Sequence, residues 1–470
     1  MNTEYRQPFH WIGSPARLIA TAALFLIIAL LWPGELLGIL GAVSLLIYLH
    51  KVSGRWSDSR PFNIFAAGIS IRFFFLILLA ALSAIKGETF TLFGDSKLSL
   101  QGADFVIQAF YGTHDLFGSS RTSLLPGLYG YTFLHWINGT LYLIAGYSPF
   151  LLKLVSAVAS CLAVWIVYLI SFRITANRTV SAWVMGLGMF WPSSLMWSID
   201  FLKEPAIQLY TAVLIYLFVD MIVRKKWRNL IILGLIWYPV GHFRNNYESV
   251  ILLTLLISSA LFIPRRRAVG LSIVFILTIV GILVTGPTGI KARFNNFQQS
   301  VVGAQTGFIT TGGSYYVFLP DRFRNPVGKK APLTMKETLT SYLRAVYFYL
   351  GTPRPYARLS LSKLPALPQM IIWYLMLILF LPVGVLYLLQ YRYREAGVVL
   401  VFLVVATSAM ALFTANEGTA FRHRDVLTPF FLIPITIGMF NIRGWLARKY
   451  KRLQPASERL TAAAGPRPFP

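Results

Sequence analysis

The chain has one cysteine, Cys161, so no disulfide can form within it. Any loop it shows to an oxidising compartment must hold its shape by packing alone. Acidic residues are few, with 17 Asp and Glu against 43 Lys and Arg. No GxxxxGK[ST] or GxGxxG run occurs, which removes the common nucleotide-binding fingerprints. No internal repeat is visible, which counts against secondary transporters built from two related halves. Charge of either sign is scarce. Only 13% of the 470 residues are charged, where a soluble domain averages about a quarter.

What fills the chain instead is apolar. Hydrophobic residues make up 56%, and the mean hydropathy is +0.62. The net charge of +26 would suggest nucleic acid in a soluble protein. In a membrane protein it reflects basic cytosolic loops and attraction to anionic headgroups. No basic helix here is free of lipid duty, so membrane lipids are the expected partners and nucleic acid is not.

A spanning helix needs about 20 mostly apolar residues, because hydrocarbon offers the backbone no hydrogen-bond partner. Apolar runs bounded by charge fall at 17–32, 35–50, 64–85, 148–171, 180–199, 205–223, 229–241, 247–263, 268–287, 370–390, 396–414 and 426–442. The expectation is an all-α integral membrane protein, one polytopic domain over 1–470, with about twelve transmembrane helices. The first two runs are short and joined by Pro33-Gly34; read as a re-entrant hairpin they leave ten. Residues 7–17 are polar and aromatic, and no small-residue cleavage site follows the first run, so no cleaved signal peptide is expected.

Lys and Arg set the orientation. With the N-terminus in the cytosol, the inner loops carry Lys51/Arg55/Arg60, Arg173/Arg178, Arg224/Lys225/Lys226/Arg228, Arg265/Arg266/Arg267 and Arg392/Arg394, and the C-terminal tail 443–470 is basic and cytosolic. The opposite short connections hold only Lys203, Arg244 and the pair Arg422/Arg424. A cell inner (plasma) membrane location is expected. Two long segments, 86–147 and 288–369, then lie outside.

Carboxylates gather on that outer side: Glu88, Asp95, Asp104, Asp115, Asp200, Glu204, Glu248, Asp321, Glu337, Glu417 and Asp425. Arg72 is the one cation read well inside an apolar run, as a snorkelling or locally paired side chain. In the first outer loop, GDSKLSLQGADFVIQAFYG (94–112) places Ala103, Val106, Ile107 and Phe110 at helical spacing, with Gln101, Asp104 and Gln108 opposite. This predicts a short helix lying apolar side down on the membrane. Asp95, on the Gly-led turn before it, can serve as a base toward an attacking hydroxyl or as a helix cap. In the second loop, Leu339, Tyr342, Leu343, Val346, Tyr347 and Leu350 form the stripe of another interfacial helix.

With these motifs the chain resembles the polytopic GT-C glycosyltransferases that use polyprenyl-phosphate sugars. The likeness rests on the Gly-Asp-Ser opening of the first outer loop, on FWPSSLMWSIDFLKEPAIQLY (190–210) and on NEGTAFRHRDVLTPFF (416–431). It implies Asp95 as catalytic base, with Asp104 the nearest candidate for a second acid. The donor implied is a polyprenyl-phosphate sugar, and the acceptor a glycan, a lipid or a protein. An anionic lipid phosphate leaves, and cations must stabilise it. Lys203, Arg244, Arg422 and Arg424 are the candidates, with the two arginines flanking His423 as a clamp. Glu204, His423 and Arg354 are further candidates. A divalent metal, on His114-Asp115 or on Asp95 with Asp104, has no diagnostic spacing here. Two rival readings are a polymerase or ligase of lipid-linked glycans such as O-antigen or exopolysaccharide, and a lipid or glycan flippase.

Overall fold

The computed structural model describes residues 33–54, 59–110, 132–226, 228–237, 247–262, 298–304, 319–320, 333–353 and 366–453. The expected runs 17–32 and 268–287, with Arg244, Arg354 and His114-Asp115, lie outside them. Among the described residues the chain is helical and without strands. Six of the described helices are long and apolar enough to cross a membrane. The fold is that of an all-α, multi-pass membrane protein.

The chain divides into two compact units. The first comprises Met1–Ala163, Ser194–Tyr210 and Tyr238–Tyr247; the second comprises Val164–Ser193, Thr211–Trp237 and Glu248–Pro470. In order the helices are α1 (Pro33–Gly54), α2 (Arg60–Lys86), α3 (Gly94–Phe110), α4 (Thr132–Ala145), α5 (Pro149–Thr175), α6 (Arg178–Met189), α7 (Pro192–Ser198) and α8 (Glu204–Arg224). Then come α9 (Asn229–Trp237), α10 (Tyr247–Phe262), α11 (Met335–Gly351), α12 (Leu367–Leu375), α13 (Leu381–Tyr391), α14 (Tyr393–Phe413) and α15 (Glu417–Leu453).

Local chemistry sets the ends. Pro61 occupies the first turn of α2, where no intrahelical donor is needed. Gly87 closes that helix in the left-handed conformation, φ 69°, which glycine reaches without steric cost. Asn177 caps α6, its side chain accepting from the Val180 N–H at 3.1 Å. Thr334 and Glu337 form a reciprocal capping box on α11.

The run 180–199 is not one helix. Pro192 has no N–H to continue α6, so the chain breaks after Met189 and restarts as α7. Within the second unit, Ser193 meets Gln369 twice: its N–H donates to Oε1 at 2.9 Å, and its hydroxyl accepts from Nε2. A second proline shapes 367–391. Pro382 cannot donate to the carbonyl four residues back, and Met376–Phe380 widens to a π turn in which the Leu381 N–H reaches Met376 O. There α13 and α15 touch backbone to backbone. A Cβ on Gly384 would meet Pro434 O at 1.7 Å, and one on Gly438 would meet Phe380 O at 1.9 Å. Small residues allow this approach, as they do in membrane helix pairs.

Arg72 is fully buried and paired, as the local-pairing reading expects. Its Nε donates to Ser198 Oγ at 2.8 Å and its Nη1 to Gly68 O at 3.1 Å. The predicted stripe of α11 is not its buried side: its six residues are exposed or partly covered, and other residues make the packed side. Ser341, Ala345, Phe348 and Tyr349 are buried on the side packed against α14, whereas Leu339, Leu343 and Tyr347 recur every fourth residue and stay exposed.

Candidate functional site

The cluster around Asp95 belongs to the first unit and begins with a buried carboxylate. Asp200 follows α7 and is fully buried. Its Oδ2 accepts from the Leu92 N–H at 2.9 Å, the Phe93 N–H at 3.2 Å and the Ser96 hydroxyl at 2.7 Å. Its Oδ1 lies 3.8 Å from Lys153 Nζ. A buried anion survives only when paired and hydrogen-bonded, and this one is both. Lys153 in turn donates to Phe90 O at 2.6 Å and stands 5.0 Å from the centre of the Phe201 ring.

This arrangement fixes the loop from α2 to α3. Phe90 is held at both ends, its carbonyl by Lys153 and its N–H by Ser83 Oγ at 2.9 Å. Leu92, Phe93 and Ser96 hang on Asp200, and the Phe93 ring packs 4.5 Å from Trp197 between centroids. Asp95 therefore sits half-buried in the first turn of a helix whose start is anchored. A helix N-terminus also favours the charge of a carboxylate.

Beyond that turn α3 lies on protein. Ser96, Ser99, Leu100, Ala103 and Val106 are buried, and Leu100 and Ala103 cluster with Tyr142, Leu152 and Phe201. The expectation of an apolar face laid on the membrane is corrected here, because α4 and α5 cover most of it. Phe110 alone of the four predicted apolar positions is exposed, and Ile107 is partly covered. At Gly102 the two helices approach so closely that a Cβ would meet the His135 ring at 2.5 Å.

Around His135 lies a second polar group. Burial, and after it the charge of Lys203, pulls the His135 imidazole down to about 4. Lys203 thus lies within electrostatic reach of His135, the ring that packs against Gly102 of α3. Burial also raises the Asp104 carboxyl above its ordinary value. The Tyr142 hydroxyl is raised by burial first, then by Tyr147 and Asp104. Glu204 is buried at the start of α8.

The geometry does not bring Asp95 and Asp104 together. Nine residues of helix place them on opposite sides and about 13 Å apart along the axis. They cannot serve one atom as a pair, nor share one metal ion. Among the described residues no three His, Cys, Asp or Glu side chains converge as a metal would require.

The expected clamp on α15 also takes another form, within the second unit. Arg422 and Arg424 are two residues apart on a helix, about 200° around the axis, so they do not face one ligand side by side. Arg424 is fully buried. Its Nη1 donates to Leu350 O at 3.0 Å and to Thr352 O, and its guanidinium lies 5.0 Å from the Trp373 and Phe421 ring centres. Trp373 Nε1 also donates to Leu350 O, at 2.9 Å. Arg424 thus closes the C-terminal end of α11, whose last carbonyls have no intrahelical donor. That role replaces carrier binding for this residue. His423 is buried with its Nδ1 3.4 Å from Thr414 Oγ1. Arg422 is part-exposed.

Sequence reasoning passed over Lys153 and gave Asp200 no role. The signal was there: a lysine in the first turns of an apolar run demands an anionic partner. No protein-family model matches the chain, and no curated protein matches it.

Proposed function

We propose that the chain is a GT-C-type glycosyltransferase that moves a sugar from a polyprenyl-phosphate carrier to an acceptor on the outer face of the membrane. One observation carries this reading. A half-exposed carboxylate, Asp95, stands on the first turn of a helix tied down by the buried Asp200–Lys153 pair, one short loop beyond the membrane-capable α2. Anchoring of that kind holds a reactive group in place for attack.

In this mechanism Asp95 takes the proton of the acceptor hydroxyl as its oxygen bonds to the anomeric carbon. The bond from that carbon to the phosphate oxygen breaks, and the carrier leaves as polyprenyl phosphate with the electron pair. Lys203 balances the charge that develops on it. Arg422 and Arg244 keep the same candidate role on the strength of the resemblance. The reading retains cytosolic termini and twelve runs that span or enter the bilayer, with the exposed row Leu339, Leu343 and Tyr347 of α11 against lipid.

The test uses the purified full-length chain in proteoliposomes, with polyprenyl phosphate carrying a radiolabelled sugar and a membrane extract as acceptor source. Label that leaves the polyprenyl lipid and becomes covalently bound to an acceptor supports the reading. Label that crosses the bilayer while still on its carrier would assign a flippase instead.

A further inference from the structure

Within the second unit a cavity of about 200 Å³ opens far along the chain from Asp95. Its polar lining is Thr175, Asn177, Tyr387, Arg392 and Asn441, and its apolar floor is Val180, Leu388 and Ile437. Among the described residues the Arg392 guanidinium makes no hydrogen bond or ion pair, although it is half-buried. Asn177 spends its side-chain oxygen on the Val180 N–H, and Asn441 spends one amide hydrogen on Ile437 O at 2.8 Å. Both amides keep donors for a ligand. A planar cation, two amides and a phenol around an apolar floor make a donor-rich cradle, and the chemistry it suits is a phosphate. The volume lies below the roughly 300–1,000 Å³ of drug-sized pockets, so the occupant is of headgroup size and not a glycan.

We propose that this cavity binds a phosphate-bearing anion, supplied either by a membrane phospholipid or by free phosphate. In the topology proposed above it opens at the cytosolic end of the helices, where the loops are basic and anionic headgroups lie. The floor accepts the first apolar atoms of a lipid, which free phosphate lacks.

The test compares the purified full-length chain with Arg392→Gln and, as a control of equal charge, Arg394→Gln, whose parent arginine is exposed beside Tyr393. Native mass spectrometry reads retention of phosphatidylglycerol against phosphatidylcholine, and thermal shift in lipid-free detergent reads binding of inorganic phosphate. Preferred retention of phosphatidylglycerol, weakened about fivefold by Arg392→Gln and little changed by Arg394→Gln, establishes the lipid source. Stabilisation by inorganic phosphate that disappears in Arg392→Gln, without preference among lipids, establishes free phosphate. Equal losses in the two variants would reduce the effect to surface charge and overturn the proposal, as would no loss in either. Ile437→Trp, which fills the cavity and leaves every charge in place, must abolish the same binding; unchanged binding also overturns it. Circular dichroism confirms that each variant remains folded.

Discussion

The Ser96 hydroxyl donates a 2.7 Å hydrogen bond to Oδ2 of Asp200, a residue 104 positions further along the chain. Through it the first turn of α3, and with it Asp95, is tied to the segment after α7. The other oxygen of Asp200 faces Lys153 at 3.8 Å. Replacing Asp200 by Ala leaves a buried lysine unpaired, at a cost of roughly 3–5 kcal/mol. Asp200→Ala with Lys153→Leu should lose clearly less than the sum of the two single variants in thermal unfolding. Additive losses would mean that the pair is not coupled.

Arg424 and Arg422 should part company. Arg424→Ala leaves the Thr352 carbonyl without its buried donor, at about 1–3 kcal/mol, while Leu350 O keeps the Trp373 indole, and the melting temperature falls. Arg424→Lys keeps the charge but loses the planar fork and recovers only part of this. Arg422→Gln should leave the melting temperature near that of the parent chain and reduce sugar transfer.

The crossing of α13 and α15 tolerates no side chain at two positions. Gly384→Ala and Gly438→Ala each drive a methyl into a backbone carbonyl, so either should destabilise the chain by several kcal/mol or stop it folding. Gly186 in α6 has nothing within 4 Å of where its Cβ would be. Gly186→Ala should instead be neutral or stabilising, by up to about 1 kcal/mol. Melting temperatures of the three variants check this directly.

Stability should fall on mild acidification because of His135. Its folded value of about 4 lies below its ordinary 6.5, so the unfolded chain binds the extra proton first. The stabilising effect of keeping this ring neutral is complete above about pH 6.5 and is lost as pH falls toward 4, by up to about 3 kcal/mol. Asp104 acts in the opposite sense: its raised value means that the folded chain takes up a proton first, and folding gains as pH falls. His135→Gln should therefore flatten the melting-temperature profile between pH 6.5 and 4, and Asp104→Asn should steepen it.

Much of the scaffold was legible in the residues. Apolar runs at 64–85, 148–171, 205–223, 370–390, 396–414 and 426–442 all lie in helices capable of crossing a membrane. The periodicity after Asp95 marked α3 correctly as a helix. Its partner was not legible, because Ala103 and Val106 would read the same whether they met lipid or α4. Trp191 and Pro192 are apolar enough to hide the break between α6 and α7 in a hydropathy count. Arg424 misled for a related reason. An arginine near a helix end looks alike in sequence whether it faces a lipid phosphate or the carbonyls of a helix some seventy residues earlier. Asp200 and Lys153 could be suspected singly, but their pairing is a fact of tertiary distance.

The sharpest check is the rate of sugar transfer by Asp95→Asn, measured on full-length protein in proteoliposomes beside its melting temperature. Loss of the proton acceptor should cut transfer by about 10²–10⁴-fold while the melting temperature stays near that of the parent chain. Transfer at the parent rate would contradict the account, because no base would then stand where α3 begins.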